Sequence, residues 1–248
     1  MTQDPSNPDL TKQLMNGGAW RDFCDRLKAL GDTISGDAYP QDERGRAEGY
    51  RVLTGLLVNA LHEHVNAGDP RHPVMVRNLE SFSQWGAPNP DNYSLRSTID
   101  SHYAYRVWGN LKHVREVIFS LMDGDMQLEK YGIFSEKSLG DLAIAENGDF
   151  EMWISREPHA GNWMPMHESA CIFQVRFYLS DWAKDGASAL HIERVGGEGE
   201  IAPPLDAKRV VHALEKTIHW VEQSVAYWNA YSNTILPAGE KINPIRCY

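Results

Sequence analysis

Cysteine is scarce, basic residues are outnumbered, and no apolar run is long. Cys24, Cys171 and Cys247 are the three cysteines among 248 residues. They lie far apart and form no CxxC pair, so no disulfide framework is indicated, and the usage suits a reducing cytoplasm. Lys and Arg number 24 against 34 Asp and Glu, a formal charge of −10. Phosphate backbones are held by clustered cations, so no nucleic-acid partner is expected. No stretch approaches the roughly 18 apolar residues of a membrane helix, and MTQDPSNPDLTKQ at the N-terminus lacks the apolar core of a signal peptide. A cytoplasmic chain with no membrane partner is therefore expected. GxxxxGK[ST], GxGxxG and GxSxG are all missing, which removes nucleotides, dinucleotides and a serine elbow from consideration, and no cofactor is expected.

What is present is an apolar fraction of 42%, enough for a core, and clear periodicity. Residues 1–17 read as a flexible arm. A helical segment follows over 18–74: Trp20, Phe23, Leu27 and Leu30 recur at helical spacing before Gly31, and a longer helix spans 42–66 with Tyr50, Leu53, Leu57 and Leu61 on one stripe. Residues 75–200 alternate instead. Phe173, Val175 and Phe177 fall on one face, with Cys171 packed among them and Gln174, Arg176 and Tyr178 opposite. Phe150, Met152 and Ile154 alternate after an Asn147-Gly148-Asp149 turn, and Leu190, Ile192 and Arg194 do so later. Residues 201–248 hold a helix over about 206–229, capped by Asp206, and a tail. Short strands without helical crossovers give an α+β fold: an antiparallel, jelly-roll-like β-sandwich with flanking N-terminal and C-terminal helices.

The stretch WGAPNPDNYSLRSTIDSHYAYRVWG, Trp85 to Gly109, draws most attention. Its prolines stop any helix, and Thr98 to Val107 alternates as one strand whose second face carries Asp100, His102 and Arg106. An Arg beside an Asp can orient a carboxylate-bearing ligand or form a structural pair.

NPDNY with the following Ile99-Asp100 and Tyr105-Arg106, GNWMP at 161–165, VRFY at 175–178 with Asp181-Trp182, HIER, and a proline pair before a helix together resemble the bacterial family catalogued as domain of unknown function twelve-fourteen. The resemblance implies a jelly-roll sandwich met in bacteria that degrade aromatic, steroidal or other apolar compounds. It brings no catalytic mechanism with it. Many longer relatives continue past the C-terminal helix.

His62-Glu63-His64 is not HExxH, because histidines two apart on a helix point about 200° from one another, so a solvated face is expected there and no metal. His167 and Glu168 follow the GNWMP turn and are the acid/base candidates, joined by Asp100 and Arg106 for proton transfer and orientation. Trp85, Trp163, Tyr93 and Tyr105 are ligand-lining candidates, because Trp and Tyr join an apolar body to a polar tip. Asn92, Arg176 and Tyr178 complete that set. Two readings follow. In one, the protein is a small-molecule enzyme of bacterial catabolism acting on an aromatic or apolar compound. In the other it is a non-catalytic binding or assembly module forming part of a larger oligomer, its helices and aromatic surface docking a further copy, as in a homo-oligomer, or another subunit.

Overall fold

Residues 8–77, 83, 85–86, 89–183, 185 and 189–235 are described by a computed structural model, in which the alternating segments and amphipathic stripes become two sheets and a helical layer. The helices are α1 (Pro8–Met15), α2 (Gly18–Ile34), α3 (Glu43–Ala60), continued by a π-helical turn at Leu61–Asn66, and α4 (Ala207–Ile235). The strands are β1 (Val76–Arg77), β2 (Asn92–Thr98), β3 (Tyr105–Asn110), β4 (Glu116–Met122), β5 (Ile133–Ser138), β6 (Asp149–Ser155), β7 (Trp163–Pro165), β8 (Ile172–Tyr178) and β9 (Leu190–Arg194). One sheet has the order β1-β2-β8-β4-β5 and the other β7-β6-β3-β9. Every pairing is antiparallel except that of β6 with β7.

The inward residues of both sheets share one core. Phe119, Phe173, Val175 and Phe177 from the first sheet meet Val107, Phe150, Met152 and Ile154 from the second, and the Phe119 and Phe150 rings lie 5.7 Å apart across the interface. This is the α+β antiparallel sandwich that the alternation implied, since each strand hides alternate side chains between the layers. Asp42 caps α3 by accepting from the Gly45 amide at 2.9 Å. Asp206 accepts from the Arg209 amide at 2.7 Å at the start of α4.

Several expectations change. Thr98 to Val107 is not one strand: β2 ends at Thr98, the chain turns over residues 99–104, and β3 opens in the other sheet. The turn is built by Asp100, whose carboxylate accepts from the His102 amide at 2.9 Å and lies 2.6 Å from its Nδ1. An Asx turn of this kind offers the backbone an alternative to the ladder, and alternation alone does not reveal it. Over residues 8–15 a helix, α1, replaces the expected arm and packs on α2 and α4; residues 1–7 lie outside the described residues, as do Ala87 and Pro88 of the proline turn and the tail from 236 onward. Gly31 does not end α2, which runs on to bury Ile34; that burial outweighs the roughly 1 kcal/mol that an interior glycine costs a helix. Cys171 is exposed just ahead of β8 instead of packed on its apolar face.

The first sheet is covered on its outer face as well. α2, α3 and α4 pool Phe23, Leu30, Leu53, Leu56, Ile218 and Val221 into a second core, and Arg26 of α2 bridges to Glu222 of α4 at 2.8 Å. Between this layer and the sheet lies Arg96 of β2, 2% exposed. Its guanidinium is 2.7 Å from Asp125 and 3.5 Å from Glu63, and it lies over the Trp85 ring at 5.4 Å. The second Asp125 oxygen accepts from Trp220 Nε1 of α4 at 2.8 Å. Glu63 and His64 therefore do not form the solvated face expected of His62-Glu63-His64. The π turn carries Glu63 onto Arg96 and sets His64 edge-on to Trp220, ring centroids 6.4 Å apart. Burial pushes the Glu63 carboxyl up against the pull of Arg96. Burial, with Arg96 and Lys216 adding repulsion, lowers His64 to about 4.

Removing one partner of a buried pair strands the other, so Arg96→Met should cost about 3–5 kcal/mol in urea denaturation, and Arg96→Met combined with Asp125→Leu should recover part of that loss. No recovery in the double variant would show that the pair does not act as a unit. His64 supplies a second test. Its folded pKa lies below its unfolded value, so between the ordinary histidine value of 6.5 and about 4 the unfolded chain binds the extra proton. Its contribution therefore destabilises the fold progressively as pH falls through that window. His64→Leu should lose less stability than the parent protein between neutral pH and pH near 5, and an identical loss would exclude His64 as a source.

Candidate functional site: a groove on the open sheet face

Among the described residues no helix covers the outer face of the second sheet, and register decides what that face displays. On β3 the outward residues are Arg106, Trp108 and Asn110. Their neighbours on β6 are Trp153, Glu151 and Asp149, and on β9 Arg106 and Trp108 stand beside Glu193 and His191. Between β3 and β6 aromatic and charged side chains thus alternate, whereas β9 sets a charge beside Arg106 and a ring beside Trp108.

Arg106 is the centre of this face. It donates from Nε to Glu151 at 2.7 Å and from a terminal nitrogen to Glu193 at 3.1 Å, and its guanidinium lies 4.9 Å from the Trp108 ring centre. The hydrogen bonds from Arg106 to Glu151 and Glu193 raise its pKa further, so it stays charged. Trp108 stacks with His191 at 5.2 Å, and Trp153 with His159 at 3.9 Å. Asn110 donates to Asp149 at 2.7 Å. At one end, Asn162 accepts from the Ala143 amide at 2.7 Å and donates to its carbonyl at 2.8 Å, which ties two loops together. Gly109 lets β9 come close, since a Cβ there would stand 2.6 Å from the Ala189 carbonyl oxygen. The groove so formed has a volume of about 1040 Å3.

Of the expected acid/base set, the groove takes Arg106 and leaves the others elsewhere. Asp100 does not face Arg106, because the turn that Asp100 itself builds separates them. His167 stacks on Phe134 at 4.1 Å and Glu168 is exposed; the Glu168 carbonyl accepts from Ser101 at 2.7 Å, which joins this turn to that of Asp100. The expected grouping of His167, Glu168, Asp100 and Arg106 is thus split between two regions.

The lining candidates also divide. Tyr93 stacks on Phe177 within the core at 4.8 Å. Tyr105 is buried, with its hydroxyl donating to the Pro70 carbonyl at 3.0 Å and accepting from the Asp100 amide at 2.8 Å. Trp163 spends its indole N–H on Ser155, and Asn92 and Tyr178 pair at one end of the first sheet. Trp85 and Arg176 line a separate cavity beneath α4. Trp108, Glu151, Trp153, His191 and Glu193 escape a reading strand by strand, because only the pairing of three strands gathers them. Their outward alternation in each strand was the available signal. Among the described residues no group of three or more His, Cys, Asp or Glu is placed to hold a metal ion, and no helix is long and apolar enough to cross a membrane.

No family model matches the chain, and no curated protein matches it. Among solved structures it is similar to an uncharacterized protein from Burkholderia cenocepacia, with a TM-score of 0.82 and 31% identity over 90% of this chain. The match covers 63% of that protein's chain, so this chain spans less than two thirds of its length. A protein from Vibrio parahaemolyticus matches at 16% identity over 61% of this chain and 44% of its own, with a TM-score of 0.37, too low to indicate a shared fold.

The Arg106 pairs are surface pairs, with side chains 30–45% exposed. Exposed pairs contribute at most about 1 kcal/mol, so Arg106→Lys should change unfolding stability by no more than that. A larger loss in urea denaturation would show that Arg106 supports the fold and does not merely shape the groove.

Proposed function

We propose that the protein is a non-catalytic binding module whose open sheet face holds a hydroxylated ring compound of sugar-like chemistry. The observation that carries this reading is the alternation, around Arg106, of indole rings with fixed carboxylate and amide groups. A saccharide ring has an apolar C–H face that suits the electron-rich face of an indole, and a hydroxyl edge that both donates and accepts. A purely apolar compound would strip the remaining water from Arg106, Glu151, Asp149 and Asn110 and offer no hydrogen bonds in return. That favours the binding reading on this face over catabolism of an aromatic compound.

The state of the carboxylates supports binding over catalysis. Glu151 and Glu193 both accept from Arg106, and Asp149 accepts from Asn110 and Asn147. Acid/base chemistry needs a group free to exchange its proton with substrate. These groups are instead fixed as acceptors, which gives a preorganised edge for recognising hydroxyls.

Titration calorimetry and tryptophan emission against a panel of free mono- and oligosaccharides test the reading. At least one should bind saturably, and Trp108→Ala and Trp153→Ala should each weaken it tenfold or more, about 1.4 kcal/mol, with unchanged melting temperature. If no saccharide binds, or if both variants bind as tightly as the parent, the proposal fails.

A further inference from the structure

A second cavity lies on the covered side of the molecule, between the outer face of the first sheet and α4. Its volume is about 240 Å3. An engineered cavity of about 150 Å3 takes up benzene, so this one has room for a single ring with a short substituent. The indoles of Trp85 and Trp228 form its walls. Tyr131 and Ile133, each more than half exposed, form an apolar rim with Met126.

The polar groups here are short of partners. Gln127 is 3% exposed, yet among the described residues neither its amide nitrogen nor its amide oxygen has a hydrogen-bond partner, and the buried N–H groups of Trp85 and Trp228 have none either. Buried polar groups are nearly always satisfied, so three such groups around one cavity point to an absent partner. Asp125 does not serve them: its two oxygens accept from Arg96 and Trp220. Lys130 and Arg176 also line the cavity, and neither forms an ion pair among the described residues. Donors therefore outnumber acceptors: two indole N–H groups, the amide NH2 groups of Gln127 and Gln174, an ammonium and a guanidinium surround a space whose uncommitted side-chain acceptors are the two amide oxygens and the Tyr131 hydroxyl.

We propose that this cavity is a binding site for a small carboxylate borne on a flat apolar ring, with the ring between Trp85 and Trp228 and the carboxylate received by Gln127, Arg176 and Lys130. An anion satisfies the excess of donors, and its charge meets two cations. The ring requirement comes from the indole walls and the apolar rim, which would contribute nothing to a free inorganic anion. This site is independent of the groove on the other sheet and of the ligand proposed there.

Benzoate and phenylacetate are suitable probes, with benzamide as the neutral isostere and inorganic phosphate as the ringless anion. Both acids should quench tryptophan emission saturably, and benzamide and phosphate should bind at least tenfold more weakly. Arg176→Gln should weaken benzoate binding tenfold or more with an unchanged melting temperature. Gln127→Leu should weaken it too while leaving the free protein equally stable or more so, because a buried amide without partners is removed. A purely structural role for Gln127 predicts the opposite, a less stable protein. Failure of both acids to saturate below about 10 mM, equal affinity for benzamide, tighter binding of phosphate, or an unaffected Arg176→Gln variant would each overturn the assignment.

Discussion

A single buried guanidinium sets the terms for the rest of this molecule. Arg96 projects from the outer face of the first sheet, where the alternation of β2 would otherwise place it in water, and it is 2% exposed. A charge taken out of water destabilises the fold heavily unless it is paired and hydrogen-bonded. Its partners come from far apart in the chain: Glu63 from the π turn after α3, and Asp125 from the connection after β4. Asp125 in turn holds Trp220 of α4. Sheet, π turn and C-terminal helix are thereby fixed in one register, which apolar packing alone, being non-directional, specifies less sharply.

That arrangement makes the two sheets unlike. The first has two buried faces, so residues opposite its apolar side, such as Ser120 and Gln174, are enclosed and polar at once. A small cavity with unpaired donors arises there because the helical layer cannot supply an acceptor at every point. The second sheet has one buried face and one open one, and the same alternation produces a wide groove with its polar groups already paired to one another. Both candidate sites thus follow from where the helices lie. On the readings proposed above, the enclosed site would select by charge and volume, and the open one by the orientation of rings and hydrogen-bonding edges.

The turn at residues 99–104 shows how one side chain redirects the chain. Asp100 binds the His102 amide and imidazole. Burial alone would raise the Asp100 carboxyl, yet those bonds hold it below the ordinary carboxylate range. The turn sends β2 and β3 to different sheets, so that Tyr105 begins the second sheet while its hydroxyl still reaches back to the Asp100 amide. Burial pushes that phenol up, as befits a group used for support.

Periodicity determined a good deal before any coordinates. The positions of α3 and α4, the Asp206 cap, the core-facing residues of β6 and β8, and the antiparallel sandwich follow from local sequence and side-chain spacing. Arg106 was legible as a candidate for the same reason, since it falls on the polar face of an alternating segment. Tertiary structure decided the rest. Whether the polar face of a strand meets water or a helix is invisible in its own alternation, so Arg96 passed unnoticed and His62-Glu63-His64 read as a solvated face. Register between strands distant in sequence gathers Trp108, Trp153, His191 and Glu193 around Arg106, and an Asx turn separates Asp100 from it. Local sequence encodes which way a side chain points along its own strand or helix, and only packing decides what it finds there.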